Sequence, residues 1–161
     1  MRIIETASLS ETQKVAVLQL WNEEYPGQLR YAQPAGFDAY LSALTDKTHL
    51  LAVNDEGQVL GWALSFIRDG ERWFAIIIHR SMQGMGEGSA LLNALKSKEQ
   101  SLAGWATDHE RYTKADGSPY PSPLGFYVRQ GFTTNPESRL ELPHLSAVRI
   151  DWLPDASVDQ Q

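Results

Sequence analysis

Residues 73–96 read WFAIIIHRSMQGMGEGSALLNALK: an apolar run, a short polar break, glycines at 84, 86 and 88, then leucines at helical spacing. No other feature constrains the chain as much, because a buried strand has to run straight into a helix whose entrance is glycine. Glycine inside a helix costs about 1 kcal/mol relative to alanine, so three of them need a reason. Lacking a Cβ, they let another group press directly against the backbone. The first turn of a helix carries free N–H groups and a partial positive charge, which suits a phosphate or diphosphate. A strand feeding that turn presents those donors at the carboxyl edge of a sheet, where open α/β sheets bind ligands. A close-packed strand-to-helix turn without a ligand is the other reading of the same glycines. The dinucleotide fingerprint fits poorly, since no first βαβ unit with a ribose-binding acid is present, and the absence of Gly-Lys-Ser/Thr excludes a P-loop.

The rest of the chain places this unit in a mixed α/β domain. MRIIETA reads as a first strand, and Ser10 with Gln13 has the spacing of a capping box for the helix VAVLQLWNEEY, which stops before Pro26. Phe37, Tyr40, Leu41 and Leu44 fall at i, i+3, i+4 and i+7 and predict a second helix. From His49 the period changes: HLLAV, the turn NDEG, VLGWALSFI, the turn RDGER and WFAIII predict consecutive antiparallel strands to Ile78. WFAIII is too apolar to face water on either side along its whole length. A helix from about Gly84 to Glu99 and the strand LAGWAT follow, the latter expected to lie parallel to WFAIII. DHERYTKADGSPYPSP is expected to be irregular, LGFYVRQ a short helix capped by Gly131, and SRLEL and AVRIDW a last pair of strands. The order is β, α, α, β, β, β, α, β, α, β, β.

Composition narrows the function. A net charge of −6 argues against a phosphate-tracking nucleic-acid partner and is mildly compatible with a cationic substrate. Without cysteine there is no disulfide, thiolate zinc site or thiol nucleophile. His49, His79 and His144 are scattered, so no metal site is expected. The N-terminus lacks a signal-peptide layout and no apolar run reaches the roughly 20 residues needed to span a bilayer, so a cytoplasmic location with no membrane partner is the simplest expectation.

Gln83, two residues, Gly86, one residue, Gly88 resembles the Q/R-x-x-G-x-G/A signature of the Gcn5-related N-acetyltransferases (GNAT family), and GFYVRQGF resembles that family's aromatic-Tyr helix ending in Gly-Phe. Ile78 stands where the family places the last apolar residue of its splayed strand. The order of elements is similar over nearly the whole chain. The resemblance implies the GNAT acyl-CoA acyltransferase fold: a mixed, mostly antiparallel sheet of about seven strands, about four flanking helices and a central splayed βαβ. It implies one acetyltransferase domain over residues 1–154, with 155–161 a disordered tail.

The resemblance also implies roles. Acetyl-CoA (coenzyme A) would be the co-substrate, with no metal. Its pantetheine arm would pair with the backbone of Ile76, Ile77 and Ile78, and its pyrophosphate would rest on the loop Gln83, Gly84, Met85, Gly86, Glu87, Gly88 and Ser89. Tyr127 matches the family's tyrosine acid, which protonates or holds the departing thiolate; a core aromatic is the other reading. Tyr120 stands where the family often has an asparagine, and Ser122 either contacts the cofactor or caps the short helix. The general base is open: Glu71 lies only at the margin of the fourth strand, while His109 could relay a proton. Trp21, Glu24, Tyr25 and Asp108 could form the acceptor pocket, carboxylates beside aromatic rings suiting a cationic amine, although Trp21 and Tyr25 read equally as core and the acids as a solvated face. The expected function is acetyl transfer to a primary amine of a small molecule or peptide. The alternative is a non-catalytic acyl-CoA-binding module on the same fold. The terminal strands could pair across a homodimer.

Overall fold

A computed structural model describes residues 1–154; the tail expected at 155–161 lies outside the described residues. One seven-stranded sheet runs through the described chain in the order β1-β2-β3-β4-β5-β7-β6. Its strands are β1 (Arg2–Thr6), β2 (Thr45–Val53), β3 (Val59–Arg68), β4 (Glu71–Ile78), β5 (Leu102–Ala106), β6 (Thr133–Leu142) and β7 (Leu145–Trp152). The helices are α1 (Glu11–Glu24), α2 (Pro34–Ser42), α3 (Glu87–Lys96) and α4 (Leu124–Arg129). The expected mixed, mostly antiparallel sheet with four helices is therefore present, and β4–β5 is its one parallel pair.

Local chemistry accounts for the elements. The Ser10 hydroxyl accepts from Gln13 N–H at 3.1 Å and the Gln13 amide oxygen accepts from Ser10 N–H at 2.9 Å, closing the capping box of α1. Pro34 starts α2, where its missing N–H is no loss. The helix ends at Ser42, so Leu44 packs on the core from beyond it. The β2–β3 turn is held by Asn54 Oδ1, which accepts from Glu56 and Gln58 N–H, and the β3–β4 turn places Asp69 and Gly70 at φ 54° and 75°.

Period-two alternation divides the sheet's side chains between two cores. Trp62, Leu64, Phe66, Trp73 and Ile77 meet Val17, Leu20 and Trp21 of α1 and Phe37 and Leu41 of α2. On the other face Ala63, Phe74, Ile76 and Ile150 meet Leu91, Leu92 and Leu95 of α3 and Tyr127 of α4. β4 is thus covered on both sides, as its apolar run requires.

Two departures from the expected elements have physical causes. β6 begins at Thr133, five residues before SRLEL, because Pro136 falls at a register shift between Asn135 and Arg139 on an edge strand, where a missing N–H is tolerated. The irregular segment after β5 makes a small ladder of its own: Thr113 bridges Pro119, Lys114 bridges Pro26, and Gly27 N–H donates to the Thr113 carbonyl at 2.8 Å. That ladder holds the long loop against the end of α1.

Candidate active site

β4 and β5 are paired only at Trp73↔Ala103. Beyond that point they diverge, and the β5-facing edge of Ile76–Ile78 has no strand partner. Phe74 lies over Gly104 of β5, where a Cβ would come within 2.6 Å of the ring's Cε1.

The chain leaves β4 through a 3₁₀ turn (Arg80–Met82) and two left-handed glycines, Gly84 and Gly86 (φ 80° and 81°), the second capping α3. Gln83 braces this turn: its N–H donates to the Arg80 carbonyl at 3.3 Å and its side-chain amide to the Ile78 carbonyl at 3.0 Å. From Gly84 to Ser89, no backbone N–H has a partner among the described residues, and the helical ladder starts with Ala90 N–H on the Gly86 carbonyl at 3.0 Å. A Cβ at Gly84 or Gly86 would meet nothing within 4 Å, whereas at Gly88 it would touch Phe126 Cζ at 3.4 Å. Two glycines therefore answer to backbone conformation and open space, and the third also makes room for α4.

This loop is one wall of a cavity of about 460 Å³. Ile76, Ile77 and Ile78 form the strand wall, with Gln83, Gly84, Gly86, Gly88 and Ser89 at the loop end. Phe126, Tyr127, Arg129 and Gln130 of α4 and its end form the opposite wall, tied to the loop where Gln130 Nε2 donates to Ser89 Oγ at 2.8 Å. Glu24, Tyr25, Lys114, Tyr120 and Ser122 line the remainder. Met85 and Glu87 belong to the loop but face away from the cavity, and Met85 is 64% exposed.

Tyr127 is 7% exposed, fixed by edge contacts to the rings of Phe74, Phe126 and Phe132. Burial raises its pKa strongly, with neighbouring Tyr120 adding to the effect. Tyr120 is itself pushed up to about 12 by burial, and Tyr25 is raised by burial and by Tyr120, Tyr127 and Tyr40. These phenols hold their protons across the working range. Ser122 stands just before Pro123, the N-cap of α4: its Oγ accepts from Leu124 N–H at 3.2 Å and donates to the Thr107 carbonyl.

Glu24 is 3% exposed, yet it is neither a solvated acid nor a bare one. Its Oε1 accepts from Lys114 Nζ at 2.8 Å, and its Oε2 from Arg80 N–H at 3.0 Å and Arg80 Nε at 3.1 Å. Burial opposes its charge, but the Lys114 and Arg80 bonds prevail and hold its pKa below the usual carboxylate range. Arg80 also bonds Asp116 at 2.7 Å. Glu23, Glu24 and His79 bring ligand-type atoms within 4.8 Å of one another, but both Glu24 oxygens are already committed.

The cavity does not gather all the expected residues. Trp21 is core: its indole N–H donates to the Leu29 carbonyl at 2.8 Å and its ring packs on Tyr25, Tyr31, Phe37, Tyr40 and Trp62. Asp108 is bound by both terminal nitrogens of Arg139, at 2.8 and 3.2 Å, which lowers its pKa. His109 stands edge-on to Tyr112 (4.5 Å), with Arg111 N–H on its Nδ1 and the Ser146 carbonyl 3.3 Å from its Nε2. The loop carries it toward the β6–β7 hairpin, away from the cavity. Glu71 is paired with Arg149 at the opposite end of β4. Lys114 and Arg80 were missed, since nothing local in sequence announces an ion pair to Glu24.

Residues 46–134, more than half of the chain, match the family model described as an acetyltransferase (GNAT) domain. No curated protein matches this chain in sequence. Among solved structures, it is similar to an aminoglycoside 6′-N-acetyltransferase complexed with coenzyme A, at 12% identity and TM-score 0.73, covering 95% of this chain and 97% of that one. It is similar to ElaA of Escherichia coli at 16% identity and TM-score 0.67, covering 94% and 99%. A GCN5-related N-acetyltransferase from Kribbella flavida matches at 15% identity and TM-score 0.58, covering 94% and 97%. At such identities the likeness is one of fold, while the family match rests on the segment from β2 to the start of β6, which carries the parted strands, the glycine loop and the Tyr127 helix. The chain belongs to the GNAT acetyltransferase family.

Proposed function

We propose that the chain transfers an acetyl group from acetyl-coenzyme A to a primary amine of a small molecule or peptide, residues 1–154 working as one domain. The observation that carries this is the run of unpartnered amides from Gly84 to Ser89, opening on a cavity beside the free edge of β4. On this reading the amides and the positive end of α3 hold the diphosphate, and the backbone of Ile76–Ile78 hydrogen-bonds the pantetheine arm. Bound acetyl-coenzyme A supplies the activated thioester. The cavity holds the amine in line with it, which provides much of the rate. As the amine nitrogen bonds the acetyl carbon and the carbon–sulfur bond breaks, Tyr127, kept protonated by burial, donates a hydrogen bond that holds the charge of the departing thiolate, which then takes a proton from solvent. Family membership and the coenzyme A complex of the aminoglycoside N-acetyltransferase support the reading.

Among the described residues the cavity wall carries one carboxylate, Glu24, and no imidazole. Glu24 is held ionised by two cations and is a weak base, so the acceptor reacts through its free-amine fraction, its proton passing to solvent. That commitment of the only cavity carboxylate favours one alternative, a non-catalytic acyl-CoA-binding module. Among the described residues no helix is long and apolar enough to cross a membrane; a cytoplasmic location is proposed. Of the two terminal strands, β7 is paired on both sides by β5 and β6 and cannot pair across a dimer, so the edge strand β6 is the proposed surface of a homodimer.

The test is an amine panel with free-thiol detection, alongside melting measurements with coenzyme A. A ligand at 100 times its Kd adds about 2.7 kcal/mol of stability. Transfer predicts thiol release by the wild type and a loss of about 100-fold in kcat for Tyr127→Phe, with the coenzyme A shift retained. A shift with no turnover points to the binding module, and no shift refutes both.

A further inference from the structure

One cation at the cavity wall constrains the acceptor, a constraint that rests on the acetyl-transfer reading. The Lys114 side chain is 9% exposed and borders the cavity. An ammonium has three N–H donors, yet among the described residues Lys114 Nζ makes one hydrogen bond, to Glu24 Oε1 at 2.8 Å. Glu24 does not depend on that bond alone, because Arg80 approaches its other oxygen through both its backbone N–H and its Nε. The loop does not depend on it either, being held by the Lys114–Pro26 bridge and the Gly27-to-Thr113 hydrogen bond. A buried cation with unused donors at a cavity wall is costly unless something completes its coordination.

The neighbouring groups supply no further anion. Tyr25 and Tyr120 line the same cavity and are kept neutral by burial. The charged side chains bordering the cavity are Glu24, Lys114 and Arg129, a positive balance in a chain of net charge −6. Arg129 belongs to α4, whose end is tied to Ser89 at the glycine loop, so it serves the diphosphate end. Lys114, on the long loop bridged to Pro26 after α1, is left as the cation for the acceptor.

We propose that Lys114 Nζ anchors a carboxylate on the acceptor, so that the acetylated amine belongs to an amino-acid-like molecule. Glu24 holds the ammonium in place, and the acceptor's amino group points toward Tyr127 and the parted strands.

The test measures thiol release from acetyl-coenzyme A with a panel of L-amino acids and their α-carboxamides, on wild type, Lys114→Met and Lys114→Arg. With kcat/KM expressed per fraction of free amine at the assay pH, the wild type should favour an amino acid over its own carboxamide by about 10-fold or more, the size of one charge-assisted hydrogen bond. Lys114→Met should bring that preference down by about the same factor, and Lys114→Arg should keep most of it. Comparing the ratio between proteins cancels the different basicity of the two amines. In the wild type the des-amino acid of the preferred acceptor should compete with that acceptor and not with acetyl-coenzyme A, a readout that stands even where Lys114→Met fails to fold. Equal use of acid and amide by the wild type, a preference that survives Lys114→Met, or absence of that competition overturns the proposal and leaves N-acetyl transfer standing. No thiol release with any amine, while coenzyme A still raises the melting temperature, overturns transfer itself and the acceptor with it.

Discussion

Gly86 and Gly57 form a matched pair that isolates what the glycine loop is for. Both have φ 81°, and a Cβ on either meets no atom within 4 Å. Alanine at either position therefore carries the same backbone cost, about 1 kcal/mol, which lowers the melting temperature by about 2–4 °C in a chain of this size. They differ in place: Gly86 borders the cavity amid unpartnered amides, while Gly57 sits in the β2–β3 turn. If those amides hold a diphosphate, Gly86→Ala sets a methyl group beside it and disturbs one bond to a charged oxygen. Such a bond is worth about 1.5–3 kcal/mol, or roughly 10- to 150-fold in Kd. Titration calorimetry with coenzyme A on wild type, Gly86→Ala and Gly57→Ala reads this directly, with melting curves as the control. Equal coenzyme A affinity for the three proteins refutes the reasoning, as does a loss that Gly57→Ala shares.

Two further substitutions test the scaffold. Gly104→Ala would place a Cβ 2.6 Å from Phe74 Cε1, in a ring cluster with Tyr127 and Phe132, so it should cost about 1–3 kcal/mol; an unchanged melting temperature contradicts the close approach of β4 and β5. His49 is buried, accepts from Trp62 Nε1 at 3.1 Å, and has its pKa pushed down to about 4 by burial, with Lys47 adding. The unfolded chain takes up this proton near pH 6.5, so between 6.5 and 4 the unfolded state binds more protons and stability drops as the pH drops, by about 3 kcal/mol in all. His49→Asn keeps an acceptor for Trp62 and should remove that component; denaturant unfolding at pH 7.5 and 4.5 checks it, and identical pH slopes in the two proteins count against it.

Features written in neighbouring residues were legible in the sequence alone. The Ser10–Gln13 cap, the turns at Asn54–Gly57 and Asp69–Gly70, and the strand-to-glycine-to-helix passage each depend on spacing within a few positions. The place of Tyr127 was legible because a short motif marks it. What escaped were relations across the chain. Glu24 meets Arg80 and Lys114 across 56 and 90 positions, and no local pattern records such a pair. His109 leaves β5 close to the cavity in sequence, but the loop's own ladder and the Ser146 carbonyl draw it to the other side. Pro136 reads as an interruption and is one only in the interior of a sheet; at an edge it becomes a bulge.

The parting of β4 from β5 has a consequence for how this chain can vary. If the free edge of Ile76–Ile78 docks the cofactor, the surface it offers is main chain, the same for any amino acid, while the side chains pack elsewhere: Ile76 in one core, Ile77 in the other. Substitutions at these two positions can retune packing above and below the sheet without rewriting the recognition edge between them. One short strand can therefore drift in sequence while keeping a constant docking rail.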